Sequence, residues 1–450
     1  MTAGRRFLAR AAALGAAAAF LATTSPPAPA AVPPPPGGPI LVVTSAGDGF
    51  GRYLPEILRG EGLNEFDVAD VASLSPGLLA GHGVVVLGST SVSADQAAML
   101  TSWVQGGGNL VAIKPSTVLA PLLGLAYTGG SISDASIAAA PGNGVTTNSM
   151  QFHGPADLYA LNGASPVATF TDAGSATGRP AVTLRTVGTA GGQAATFTYN
   201  LPQSVVYTRQ GNPAWTGQER DNADTPPAAQ TLRSDDLFFP DWVDLDRAQV
   251  PSADEQQRLL ANLIIGTQQD RMPLPRFWYL PQGLKAAVVM TGDDHAHQPS
   301  GSGEGTFAQF ARYRDVYSAP GCSVADWQCV RSTSYLFPNA NMTNADAASF
   351  QAAGFEVALH LWSSGTAIGS TNPSDETCHN VAGGIGADLT KQLGQFAANF
   401  PSIAAPVTNR NHCIMWSGWV DVPVAELAHG IRLDTNYYYW PGGWVQDRPG

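Results

Sequence analysis

Leu284-Lys-Ala-Ala-Val-Val-Met-Thr-Gly-Asp-Asp-His-Ala-His297 drives an apolar, strand-forming run into two adjacent carboxylates and then two histidines. Side chains alternate faces along a strand, so Asp293 and Asp294 at its mouth point in different directions. One can bind a metal while the other acts as a base on water. Carboxylates beside a buried strand are costly to desolvate, so a pair there signals chemistry. The plainer alternative is a strand-to-helix turn in which an Asp caps the following helix.

Working outward, residues 277–434 read as strand–helix repeats. Strand segments fall at 284–291, 332–337, 355–360, 405–412 and 430–434. Helices fall at 344–353, stopped by Gly354, and at 387–400, which presents Leu389, Leu393, Phe396 and Phe400. Repeats of this length indicate a β/α barrel, where chemistry collects at the C-terminal strand ends. Five of the eight histidines lie between residues 295 and 412: His295, His297, His360, His379 and His412. His360 ends the 355–359 strand, and His412, preceded by Arg410, ends the next. Helix capping alone would not place a His and an Arg-x-His at later strand ends. A mixed carboxylate and imidazole set suits zinc or a similar divalent ion with a position left open for water.

The first half reads differently. Strands at 40–44, 66–70, 82–88 and 109–113 alternate with helices at 53–60 and 93–106, which argues for a parallel sheet covered on both faces. Residues 116–250 are richer in Gly, Thr and Ser, with strand-like pieces at 181–185 and 194–199. Leu259, Leu260, Leu263 and Ile264 then recur at helical spacing and close a domain over 40–268. Residues 271–276 read as the linker to a second domain over 277–450. The segment 215–221 and the pair Asp235-Asp236 fall in polar loops, read as solvated, with sugar or ion binding the alternative.

Residues 1–30 combine Arg5, Arg6 and Arg10 with a short apolar stretch and an Ala28-Pro29-Ala30 end, the pattern of a secretory signal peptide. Arg5-Arg6-Phe7-Leu8 faintly resembles a twin-arginine signal with altered spacing, so the export route stays open. A Pro-rich leader follows at 31–39. No later segment is long and apolar enough for a membrane span. The expected location is therefore extracellular. The formal charge is -12, about -15 without the signal, which disfavours nucleic acid and anionic membrane surfaces as partners. Only 13% of residues are charged, against 49 Gly and 34 Pro, as suits a loop-rich exported protein. Four cysteines in an oxidising compartment point to disulfides. Cys322 and Cys329 enclose a short loop, which leaves Cys378 and Cys413 for each other. Other connectivities and zinc ligation stay open.

Two resemblances follow from these residues. Gly83-Val-Val-Val-Leu87 and Leu100-Thr-Ser-Trp-Val-Gln-Gly-Gly-Gly-Asn-Leu-Val111 resemble the class I glutamine amidotransferase-like fold over residues 39–115. No cysteine occurs before Cys322, so that family's nucleophile is absent and a binding or spacing module is implied. Residues 277–440 resemble the NodB-type polysaccharide deacetylases, the family 4 carbohydrate esterases. Thr291-Gly-Asp-Asp-His295 sits where that family has Thr-Phe-Asp-Asp-Gly, and Gly354-Phe-Glu-Val-Ala-Leu-His360 resembles its Gly-His-Glu-(apolar)-x-x-His segment. Tyr335-Leu-Phe337, Arg410-Asn-His412 and Asp434 with Trp440 correspond more loosely to its remaining motifs.

The resemblance implies Asp293 as the base on water, Asp294 and His360 as metal ligands, and Arg410 orienting Asp293 through a charge-assisted hydrogen bond. The family's second His, four residues after the first, is Ser364 here. His412, or His379 in its place, would supply the third ligand, and a Cys378–Cys413 disulfide would bring both within a side chain's reach. Nothing suited to the family's late general acid follows His429. Gly450 lies 16 residues after Asp434, too few for a seven- or eight-stranded barrel, so either the chain stops early or the barrel closes another way. The leading expectation is an exported, metal-dependent hydrolase removing acyl groups from an amide (non-peptide C–N) or ester on a carbohydrate or cell-wall polymer. The alternatives are a degenerate relative that binds glycans without turnover and, least favoured, a glycoside hydrolase with paired carboxylates. Aromatics at 416–419 and 437–440 could stack on sugar rings in either of the first two, with a core or barrel-rim role the equal alternative.

Overall fold

A computed structural model describes residues 39–172, 175–220, 232–278, 280, 283–293, 305–362 and 384–437. The signal peptide expected at 1–30 and nearly all of the leader at 31–39 lie outside the described residues. The fold is mixed α/β, built on two sheets.

The first sheet contains β1 (Ile40–Thr44), β2 (Phe66–Asp70), β3 (Val84–Leu87), β4 (Asn109–Ile113), β5 (Leu125–Ala139), β6 (Met150–Leu161), β7 (Ser165–Asp172), β8 (Ser175–Val187) and β9 (Gly192–Phe197). Their order is β2-β1-β3-β4-β9-β8-β7-β5-β6. The first five in that order are parallel; the rest extend the sheet antiparallel. Alternation explains why both faces are covered. Ile40, Val42, Val84 and Val86 pack against Leu54 and Ile57 of α1 (Tyr53–Gly60) and Leu259 and Leu263 of α6 (Ser252–Gln268). Leu41, Val43, Val85 and Leu87 meet Leu79 of α2 (Pro76–Ala80) and Leu100 and Val104 of α3 (Ala94–Gln105) on the other face. Each such side chain contributes roughly 1.5–3 kcal/mol on burial. Helix α3 has the limits its caps dictate: Ser93 and Gln96 form a capping box, and Gly107, at φ +111°, turns the chain toward β4. Two further helices, α4 (Ala120–Leu123) and α5 (Leu201–Gln210), complete this half.

The second sheet contains β10 (Thr291–Gly292), β11 (Thr333–Leu336), β12 (Glu356–Leu361), β13 (Thr408–Asn411) and β14 (Leu433–Asp434), all parallel and in chain order. Helices α7 (Gly305–Arg312), α8 (Asn344–Ala352), α9 (Ile385–Asn399) and α10 (Asp421–Ala428) lie between these strands in the chain. Among the described residues this is an open half-barrel of five strands. Its core joins Leu336, Val357, Leu359 and Leu361 to Phe310, Leu389, Phe396 and Phe400. Gly354, at φ +88°, ends the α8 turn, and an added Cβ there would run into Val324. The Cys322–Cys329 disulfide is formed, and Cys413 is also disulfide-bonded; its expected partner Cys378 lies outside the described residues.

Three expectations are corrected. The strand expected at 284–291 survives only as Thr291–Gly292, while Val288 and Val289 are 85% and 65% exposed. β10 is a sheet edge whose one neighbour, β11, is four residues long, so residues 284–289 have no ladder to join. His360 lies inside β12, whose last residue is Leu361. Asp235 and Asp236, read as solvated, are buried at 2% and 3% exposure. They belong to a segment that precedes the expected linker yet packs on the second sheet: Leu237 and Phe238 join its core, and Arg233 bridges to Met415. Among the described residues no helix is long and apolar enough to cross a membrane.

Candidate functional site

The C-terminal ends of β10, β12 and β13 bring four of the expected residues together. Asp293 follows β10 directly. Arg410, in β13, donates from Nε to Asp293 Oδ2 at 2.6 Å and from Nη1 to the Thr435 carbonyl at 2.6 Å. The guanidinium fork is thus held in two directions, which fixes the carboxylate it grips. About a third of each side chain is exposed, 28% for Arg410 and 33% for Asp293. The ion pair therefore lines an accessible surface.

His360 is register partner to Arg410 across β12 and β13 and is fully buried. Its Nδ1 lies 3.0 Å from the Arg410 carbonyl. Donation there places the proton on Nδ1 and leaves Nε2 as a lone-pair donor, the arrangement that orients a ligating imidazole. Nε2 faces His412 Nδ1 at 3.3 Å, with the rings nearly perpendicular at 88°. Phe337 packs against both rings, 4.9 and 5.5 Å between centroids. Two nitrogens on one tetrahedral zinc, each at roughly 2.0–2.1 Å, sit about 3.3 Å apart. The separation matches that spacing, and it is also that of an Nδ1–H of His412 donating to Nε2 of His360. Among the described residues no three His, Cys, Asp or Glu side chains converge as a metal-holding group. Asp294 and His379, the other expected ligands, lie outside the described residues, as do His295, His297, Ser364 and Trp440.

A polar network behind β13 was not anticipated from the sequence. Asn409 donates from Nδ2 to Asn411 Oδ1 at 2.8 Å and to Glu426 Oε1 at 2.7 Å. Asn411 in turn donates its N–H to Asn436 Oδ1 and its Nδ2 to the Met415 carbonyl. Burial, followed by the neighbouring Asp434, pushes Glu426 up to about 9, so it is held as a neutral acid. Asp434, expected near the site, accepts the N–H groups of Asn436 and Tyr437 and turns the chain after β14. Glu426, set among Val422, Val424, Ala425 and Leu427 in α10, was the available signal. Glu356 opens β12 and accepts from Thr333 and Thr408 at 2.7 and 2.9 Å.

No protein-family sequence model matches the chain, and no curated protein matches it. Among solved structures, the chain is similar to the β-galactosidase from Rahnella sp. R3, at 20% identity, covering 36% of this chain and 28% of that one, with a TM-score of 0.31. The β-galactosidase from the Antarctic haloarchaeon Halorubrum lacusprofundi gives 21% identity, 37% and 29% coverage, and 0.30. The mmIFT52 N-terminal domain gives 13% identity, 37% and 86% coverage, and 0.29. The chain thus spans under a third of either galactosidase, and likeness at this level assigns it neither activity nor substrate.

Proposed function

We propose that this protein is an exported, metal-dependent hydrolase that removes acyl groups, N- or O-acetyl foremost, from a carbohydrate. The observation that carries the reading is a pair of features on adjacent strands: Asp293 gripped by the Arg410 side chain, and the paired nitrogens of His360 and His412, with His360 Nδ1 bonded to the Arg410 carbonyl. The resemblance of residues 277–440 to the deacetylases supports the choice of bond and substrate. His360 Nε2, His412 Nδ1 and Asp294 would hold the ion. A bound divalent ion of this kind supplies an acidified water and polarises an acyl carbonyl.

The chain's own groups do the rest. Arg410 holds Asp293 through Oδ2, which presents Oδ1 to the attacking water. Asp293 takes the water proton as oxygen bonds to the acyl carbon. The C–N or C–O bond to the sugar then breaks, and Asp293 returns the proton to the departing nitrogen or oxygen, releasing acetate. Phe337 keeps bulk water from the imidazole pair.

The test is metal content and acetate release on the disulfide-intact protein. Near-stoichiometric zinc, lost in His360→Ala, with acetate released from acetylated glycans, is the expected result. Asp293→Asn should retain the metal and lose the release. No metal in the parent would sink the reading; metal and glycan binding without acetate release would leave a binding protein in its place.

A further inference from the structure

The turn that presents His412 is strained and is clamped from the other half of the molecule. Cys413 and Ile414, at φ +57° and +52°, are consecutive non-glycine residues in the left-handed region. A β-branched residue rarely adopts that conformation, and it persists only where the surroundings impose it. The surroundings here are unusually specific. Arg233 Nε donates to the Cys413 carbonyl at 3.1 Å, Arg233 and Met415 form an antiparallel bridge, and Trp416 donates its N–H to the Leu232 carbonyl at 2.8 Å. The clamping segment is itself tied down on both sides. Asp236 accepts the backbone N–H groups of Arg220 and Arg233 at 2.6 and 3.0 Å, and Leu237 and Phe238 are buried in the second sheet's core. A few residues on, the Trp242 indole donates to the Tyr207 carbonyl in α5 and stacks on His153 of β6, 4.1 Å between centroids.

We infer that residues 232–238 are a strap that aims His412, with Arg233 as the positioning residue that holds the Cys413–Ile414 turn through the Cys413 carbonyl. The inference rests on the proposed metal pair and gives the first half of the chain a part in the site. The physical need is clear: a 3.3 Å separation between His360 Nε2 and His412 Nδ1 tolerates little drift. Without the Arg233 side-chain bond the backbone bridge and the Trp416 N–H still tether the turn, but the hold on the Cys413 carbonyl next to His412 is lost and its ring can drift.

The test uses the full chain with its disulfides intact, stripped of metal and titrated with Co(II), whose visible absorption reports ligand geometry. Arg233→Ala should weaken Co(II) binding about tenfold or more and alter the spectrum, as loss of an outer partner does at metal sites. Arg233→Lys, which can still donate to the Cys413 carbonyl, should restore most of both. Thermal midpoints near the parent's would show that the fold is kept. Parent-like affinity and spectrum in Arg233→Ala would overturn the strap, and so would failure of lysine to rescue a folded variant. A parent that takes up no Co(II) would defeat the proposed function instead. The strap would then be judged on the metal-free chain, where Arg233→Ala must shift the His412 imidazole 15N resonances while leaving those of His82 in place. Unmoved His412 resonances would overturn it.

Discussion

At the scale of single residues, the site depends on groups held from two directions. Arg410 reaches Asp293 with Nε and the Thr435 carbonyl with Nη1, a division that a lysine ammonium on a flexible stem cannot reproduce. On the proposed function, Arg410→Lys should therefore lower kcat for acetate release by roughly 10- to 100-fold at near-parental KM, with metal content unchanged. Steady-state kinetics beside metal analysis checks this. Glu426 makes a second prediction, in stability. Its acid is raised from 4.5 to about 9 in the folded chain, chiefly by burial. The folded state therefore binds the proton more tightly than the unfolded one. The stability this contributes is fully present below pH 4.5 and is lost as pH rises through about 9. The slope is at most about 1.4 kcal/mol per pH unit. Glu426→Gln keeps an acceptor for Asn409 without the charge, so its thermal midpoint should gain on the parent's as pH is raised from 5 to 9. Parallel curves for the two proteins would contradict this.

Elements place those residues. β12 starts where α8 is stopped by Gly354, so the glycine sets the phase that brings His360 beside Arg410. With φ at +88° and Val324 where a Cβ would go, Gly354→Ala should cost about 1–2 kcal/mol by urea denaturation. Elements with local signals, such as α3 with its capping box, were legible because their limits are set by neighbours in the chain. The strand expected at 284–291 was not, because a strand forms only where another offers hydrogen bonds, and that partner comes from residues some forty positions away.

For the whole molecule, the two sheets are joined by more than a linker. Phe238 is encoded between α5 and α6 of the first half but is 3% exposed in the core of the second sheet. Phe238→Ala should lower stability by about 3–5 kcal/mol, and the loss should appear in the unfolding of the second half, followed by its tryptophan fluorescence. Periodicity and punctuation in the sequence determined the alternating α/β character and the limits of elements such as β1, β2, β4, α1 and α3. They also singled out Asp293, His360, Arg410 and His412, because strand ends and unusual polar residues are visible one segment at a time. Only the tertiary structure decided that Asp235 and Asp236 are buried, that Asn409, Asn411 and Glu426 form one network, and that residues 232–238 reach across to the His412 turn. Each of these depends on how elements pack against one another rather than on the pattern within one segment. Its energy comes from desolvation and from partners that no local pattern encodes.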